Sequence, residues 1–438
     1  MAARRSAITG ERGIFIAQLN FRLQRSDQDV RGPAGLHRAC NPNLHSSNHW
    51  TKRKPNVAKI ANIEVCVARV PLANSVTFST RAVQAREYCL VRVTSADGHM
   101  GVGYSYAVNT SGRILAAAVE EAFGPRLIGQ DSLRVEGIWR DFYQEALLIG
   151  RAGAVMRALS AVDIALWDLN ARSVGLPLYK YLGAVVLDRV PAYGSGGYYM
   201  VGKSNDDLAQ EMLAFVRDGY EAVKIKVGRL SPAEEEERLR VVREAIGPDI
   251  HLMLDANNAW ADLPTAMRYI ERFEKYSPYW IEEPFLPDDI DNHAALAQRT
   301  SMMVATGEIE AGRWRFKEIL DKGAAAILQM DAIVCGGISE FRKIAATAAS
   351  YGVPVAPHAW HDIHVHLVAS TVNATYVEFM PDDQIVNFRS LIDVQIEYKD
   401  GHLLLPDRPG LGFSFDPFAI DRYGVRAAGS SSAWQRVA

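Results

Sequence analysis

The stretch Ala222-Val223-Lys224-Ile225-Lys226-Val227 opens the series that decides the fold. Short apolar runs recur behind it at 251–255 (HLMLD), 279–282 (YWIE), 302–308 (MMVATGE), 324–331 (AAAILQMD), 353–358 (VPVAPH) and 375–379 (TYVEF). A polar residue stands at or near the end of each run. The steps from Lys226 through Asp255, Glu282, Glu308, Asp331, His358 and Glu378 are 29, 27, 26, 23, 27 and 20 residues. A strand, a three-turn helix and two short loops need about that much chain. The segments between carry helix-start signals: Ser231-Pro232-Ala233-Glu234 places a cap, a proline at the first helical position and an acid at the third, and Ser204 pairs with Asp207 in the same way. A first strand near 190–196 makes eight strand–helix units, which predicts a (β/α) barrel of the TIM type over residues 187–383. The eighth helix is its weak point, because the chain after Glu378 is irregular. A helical solenoid is also periodic, but only a barrel would bring the polar run-ends together at one mouth.

Upstream, Val65–Val70 and Tyr88–Val93 are rich in β-branched residues and predict strands, the second followed by an Asp97-Gly98 hairpin turn. Val155, Leu159, Val162, Leu166 and Leu169 fall on one face of a helix that Gly175 and Pro177 end. Residues 58–186 are therefore expected to form a small α+β capping domain, and 384–438 a C-terminal segment that returns to it in extended form.

The chain has 438 residues, 48% hydrophobic and 23% charged, with a net charge of −3. That is an ordinary globular composition, long enough for two domains, and it argues against a nucleic-acid binder relying on a basic surface. Four scattered cysteines (Cys40, Cys66, Cys89, Cys335) suggest neither a disulfide framework nor a zinc ribbon. No apolar run reaches membrane-spanning length, so a cytoplasmic protein without nucleic-acid or membrane partners is expected. Residues 1–57 stand apart, with ten Lys and Arg against three acids. They read as a leader outside the fold: a transit peptide, a disordered extension or a start codon placed too early.

The run-ends divide by chemistry. Asp255, Glu282 and Glu308 end three successive strands, and an all-oxygen set favours Mg²⁺ over Zn²⁺. Asn257 follows Asp255 on the same face and is read as supporting the site or facing substrate. Glu283 should point away from Glu282. Lys224 and Lys226 share a strand face, where each ammonium disfavours the other's proton, so that one is expected to serve as a base. His358 lies across the barrel as an acid or base, with Asp331 placed to hold its other nitrogen. Glu378, if protonated, would hydrogen-bond a substrate oxygen. His361, His364 and His366 lack a zinc spacing and belong to the seventh helix; Gly336-Gly337 reads as a tight turn rather than a phosphate cradle.

These residues resemble the enolase superfamily, and within it the mandelate racemase group. The resemblance is carried by Ala158–Asp168 (ALSAVDIALWD), Lys224-Ile225-Lys226, Leu254-Asp255-Ala256-Asn257, Trp280-Ile281-Glu282-Glu283-Pro284, Thr306-Gly307-Glu308 and the Asp331/His358/Glu378 set, over about residues 58–425. It implies a Mg²⁺ ion in each subunit held by Asp255, Glu282 and Glu308. It implies bases at Lys226 and His358 with Asp331 behind the histidine, Lys224 neutralising a substrate carboxylate, Glu378 bonding an enediolate, and a homo-oligomer. Dehydration of an acid sugar is the expected reaction, with racemisation of a 2-hydroxy acid and a non-catalytic acid-sugar binder as alternatives. Polar residues Asn74, Thr77, Thr80 and Arg81, with Ser105, Tyr106, Asn109 and Thr110, are expected in loops over the mouth; Asn74 and Arg81 are read as substrate contacts.

Overall fold

The computed structural model describes residues 59–381, 385–426 and 430–437, with the backbone alone at 73–76. The described residues belong to one compact unit. The leader 1–57, Cys40 and the side chain of Asn74 lie outside what is described.

Strands β1 (Ile60–Thr77), β2 (Ala82–Ser95) and β3 (Met100–Val108) form an antiparallel meander. The 95–99 turn joins β2 to β3, with Gly98 N–H donating to the Ser95 carbonyl at 3.0 Å. The C-terminal strand Gln435–Arg436 adds to the free edge of β1. Both β1 and β3 run longer than expected, so Asn74 and Thr77 lie within β1, and Ser105 and Tyr106 within β3, rather than in loops.

The helix Gly153–Ser173 lies against this sheet. Its predicted stripe is in place: Leu159, Val162, Leu166 and Leu169 pack with Val65 and Val91. Each such fully buried side chain contributes about 1.5–3 kcal/mol. The helix is nevertheless buried on nearly every side, not on one face, because the parallel half of the molecule covers its back. There Asp163 accepts from Ser339 N at 2.9 Å and Ser339 Oγ at 2.6 Å. Asp168 accepts from Val102 N at 2.8 Å and Leu411 N at 2.6 Å. Gly336-Gly337 is the turn that this docking requires. Both glycines have positive φ (123° and 85°), and a Cβ on Gly337 would stand 2.3 Å from Asp163 Oδ2.

The second sheet is parallel: β4 (Arg189–Ser195), β5 (Ala222–Lys226), β6 (His251–Asp255), β7 (Trp280–Glu282), β8 (Met303–Thr306) and β9 (Ile327–Leu328) pair in chain order. A further strand, β10 (Val377–Phe379), pairs in parallel with β4. Helices alternate with these strands, and the caps at Ser204 and Ser231 form as expected. Two runs fall furthest short of their predicted strands. Residues 324–331 supply only the two-residue β9, and 353–358 only isolated parallel bridges from Val355 to Leu328 and to Ala374. After β10 the described chain forms a single 3₁₀ turn, Phe388–Leu391, before the short helix Pro417–Tyr423, so the weak eighth helix is absent among the described residues.

The C-terminal segment does two things. β11 (Tyr398–Lys399) and β12 (His402–Leu404) form a hairpin whose second strand pairs antiparallel with β4. The stretches around it meet the meander: Asn387 Oδ1 accepts from Tyr88 OH at 2.9 Å, and the Ile385 carbonyl accepts from Arg86 Nε at 2.6 Å.

Alternation along the parallel strands then sets the chemistry. Val223, Ile225 and Leu254 join the cluster under the helices, whereas Tyr193, Ala222, Met253, Trp280 and Ala305 form a separate apolar layer on the other face. Two residues beyond that layer, on the same face, come Lys224, Asp255 and Glu282.

Candidate active site

The carboxylates of Asp255, Glu282 and Glu308 converge, each offering an oxygen within 4.8 Å of the others. β6 and β7 hold the first two in register, Asp255 opposite Glu282. Glu308 follows β8 by two residues, past Gly307 at φ 125°. All three are buried. Three oxygen donors packed this closely suit a small hard cation that keeps positions open for substrate oxygens. Two lysines share the cluster. Lys224 Nζ lies 2.7 Å from Glu282 Oε1 and 2.9 Å from Glu378 Oε1, and Lys226 Nζ is bonded to Asp255 Oδ2. Gln329 Nε2 (2.7 Å) and Trp280 Nε1 (3.2 Å) donate to Glu282 Oε2. Sequence reasoning passed over Gln329, because an amide at the end of an apolar run gives no charge signal, and named Trp280 only as part of a motif, without a role.

His358 lines the same cavity as Lys226. Its Nδ1 lies 3.0 Å from Asp331 Oδ2, and its Nε2 lies 3.6 Å from Glu308 Oε2. Asp331 is itself held by Ile333 N–H at 2.9 Å. His364 braces this pair, whereas His366 is tied to backbone elsewhere. His364 Nε2 accepts from Ala332 N at 3.1 Å, and its Nδ1 lies 2.7 Å from the Ala359 carbonyl. His366 bridges Tyr179 N and the Leu411 carbonyl.

Protonation differs from the sequence reading at two places. Burial works against charge on Lys226, but Asp255, Tyr198 and Glu282 together outweigh burial and hold the ammonium protonated. The mutual repulsion of the lysines is the smaller effect, because the site holds more carboxylates than ammonium groups. Glu378 is likewise ionised, not protonated: burial raises its pKa, yet Lys224 and His358 bring it well below the usual range. Its Oε2 accepts from Ala359 N–H at 2.8 Å. Glu282 moves the other way, pushed up to about 8 by burial and by Asp255. His358 is held protonated, since Glu308 and Asp331 overcome the cost of its burial.

A cavity of about 310 Å³ opens over this cluster. Lys226, His358, Glu308, Asn257 and Arg81 line it, whereas Lys224 does not and lies beneath among the carboxylates. Asn257 has φ 45° and donates through its backbone N–H to Asp255 Oδ1 at 2.8 Å and through Nδ2 to Oδ2 at 3.2 Å. Glu283 also lines the cavity, contrary to strand alternation, because its φ of 42° breaks the strand at that residue. Phe78 and Tyr198 cover Lys226, their ring centroids 5.5 and 5.0 Å from Nζ.

Known proteins share this layout. Residues 61–183 match the family described as "Mandelate racemase / muconate lactonizing enzyme, N-terminal domain", and residues 207–419 match "Enolase C-terminal domain-like". An arabinonate dehydratase of Saccharolobus solfataricus is 33% identical over 348 residues, 78% of this chain and 91% of that protein. An L-talarate/galactarate dehydratase of Salmonella typhimurium is 34% identical over 363 residues, 81% and 89% of the two. The crystal structure of an L-talarate dehydratase from Polaromonas sp. JS666, complexed with Mg and L-glucarate, superposes with a TM-score of 0.76 at 32% identity, covering 86% of this chain and 99% of that one.

Proposed function

The chain belongs to the mandelate racemase group of the enolase superfamily, and on that premise we propose that it is a Mg²⁺-dependent acid-sugar dehydratase. The observation that carries this reading is the convergence of Asp255, Glu282 and Glu308 beneath a cavity lined by both Lys226 and His358. We read the parallel sheet as a closed (β/α) barrel, in support of which β10 pairs β4 and the Val355 bridges link β9 to the segment entering β10. In this reading 58–186 is the capping domain, 187–383 the barrel and 384–438 the segment that ties them.

A proton next to a carboxylate is weakly acidic, because its removal places a second negative charge on the same group. A divalent cation on the three carboxylates supplies the Lewis acidity that offsets this charge. Lys226 must first give its ammonium proton to solvent, which becomes easier once Asp255 no longer holds that charge, and the neutral amine then takes the α proton. His358, protonated and oriented by Asp331, gives its Nε2 proton to the β-hydroxyl, which leaves as water. The resulting enol tautomerises to a 2-keto-3-deoxy acid. Lys224, between Glu282 and Glu378, lowers the negative charge of the cluster, and we assign it the neutralisation of the substrate carboxylate. Glu378 fixes the backbone at Ala359 and so the direction of His358.

The test is incubation with Mg²⁺ in D₂O against a panel of aldonates and aldarates, read by proton NMR and a 2-keto-acid assay. A 2-keto-3-deoxy product is expected, lost by about 10²–10⁴-fold in Lys226→Ala and in His358→Asn. Deuterium at the α position without keto acid would make the enzyme a racemase that uses the same pair. No reaction with any panel member would sink the acid-sugar assignment.

A further inference from the structure

The cavity has a second charged end. Its floor comes from the parallel strands, with Lys226, Glu308 and His358; its roof comes from the antiparallel meander and the helix on it, with Arg81, Arg86 and Arg157. Arg86 is 5% exposed, and its Nε donates to the Ile385 carbonyl at 2.6 Å. Arg157 lies over the Tyr106 ring at 4.5 Å and donates to the Tyr106 carbonyl at 3.2 Å. Arg86 faces Val108 across the ladder and Tyr88 faces Tyr106, so Arg86 and Tyr106 project from the same face of the sheet. Among the described residues, no acidic side chain pairs with Arg81, Arg86 or Arg157.

A buried guanidinium is a fork of five donors that fits a carboxylate with two parallel hydrogen bonds, and a protein seldom buries one without such a partner. Here the protein supplies carbonyl acceptors to Arg86 and Arg157, which fix those forks in place, and pairs none of the three arginines with the Glu283 or Glu308 carboxyl groups of the same cavity. The floor already serves one carboxylate in the reading proposed above, on which this step rests. We propose that the roof arginines, Arg86 and Arg157 with Arg81 at the rim, bind a second carboxylate at the far end of the substrate, so that the preferred substrates are diacids (aldarates) rather than the monoacids (aldonates) that end in a neutral hydroxymethyl group.

The test compares hexarates with the hexonates of matching configuration, in Mg²⁺, for the wild type, Arg157→Gln and Arg86→Lys. Two readouts are taken: kcat/KM for keto-acid formation, and the rise in thermal midpoint that each acid produces. The wild type is expected to favour the diacid by at least about tenfold, and each variant to cut that ratio by about 10- to 100-fold, as befits loss of a charge-assisted bidentate contact. If Arg86→Lys does not fold, the half-buried Arg157 decides the matter. A wild-type preference for the monoacid, or a ratio that neither variant moves, overturns the inference while leaving the dehydratase reading intact. If neither acid is consumed but the diacid still raises the midpoint more, and the variants abolish that difference, the arginine site stands and the dehydratase reading falls. If the protein shows neither turnover nor a diacid-specific midpoint rise, the inference is overturned together with the dehydratase reading.

Discussion

His366 shows how one side chain can set the acid limit of the fold. Its Nδ1 accepts from the Tyr179 N–H at 3.3 Å, and its Nε2 lies 3.1 Å from the Leu411 carbonyl, an arrangement that needs the neutral ring. Burial lowers its pKa to about 4, with the Leu411 carbonyl opposing only in part. The unfolded chain takes up a proton near pH 6.5 and the folded chain does not, so this contribution is fully present above 6.5 and is lost as pH falls toward 4. At 1.36 kcal/mol per unit the loss by pH 4.5 is about 2–3 kcal/mol. Urea unfolding at pH 7 and 4.5 should therefore show the wild type losing about that much more stability than His366→Gln, whose amide cannot be protonated. Parallel losses in the two proteins would contradict the assignment. No sequence pattern pointed here. Three closely spaced histidines suggested at most a metal, and only the packed helix shows that His364 and His366 are placed by backbone groups.

Elements were legible where periodicity and burial agree. The runs that became β5, β6, β7 and β8 are apolar on both faces, because helices cover one side and the inner layer fills the other. The run 324–331 gave less strand than its composition implied, since the chain leaves the ladder after Leu328 and the Gln329 amide reaches Glu282. Glu283 illustrates the same limit: a positive φ of 42° turns its side chain in a way that a period of two cannot anticipate. The helix Gly153–Ser173 was legible as a helix but not as a fully buried one, and glycine placement explains how it sits so close to β3. A Cβ on Gly103 would lie 2.2 Å from the Ala161 carbonyl oxygen and 2.7 Å from Ala165 N. Both are backbone atoms that cannot swing aside. Gly103→Ala should thus cost about 1–3 kcal/mol or more through overpacking, measured as a lower urea midpoint with an unchanged m-value. A substitution without effect would mean that the helix is less firmly seated on β3.

Across the whole molecule, the same face that is apolar at one end of the parallel strands is ionic at the other, and the meander closes over the ionic end. The three carboxylates proposed to hold the cation come from β6, from β7 and from the turn after β8, so a cation that binds all three ties separate strands together and binds only the folded chain. Such binding stabilises by mass action, by about 2.7 kcal/mol when Mg²⁺ stands at a hundred times its Kd. The thermal midpoint of the protein should therefore climb with Mg²⁺ concentration and return on addition of EDTA. Asp255→Asn, Glu282→Gln and Glu308→Gln should each flatten that climb, while Gly103→Ala, which acts on the opposite layer, should lower the midpoint at every concentration and keep the slope. A wild-type midpoint indifferent to Mg²⁺ would count against the three carboxylates as a metal centre. A slope lost in Gly103→Ala would mean instead that the carboxylates hold their places only while the meander is docked above them, which would make the seating of the helix on β3 part of the metal site.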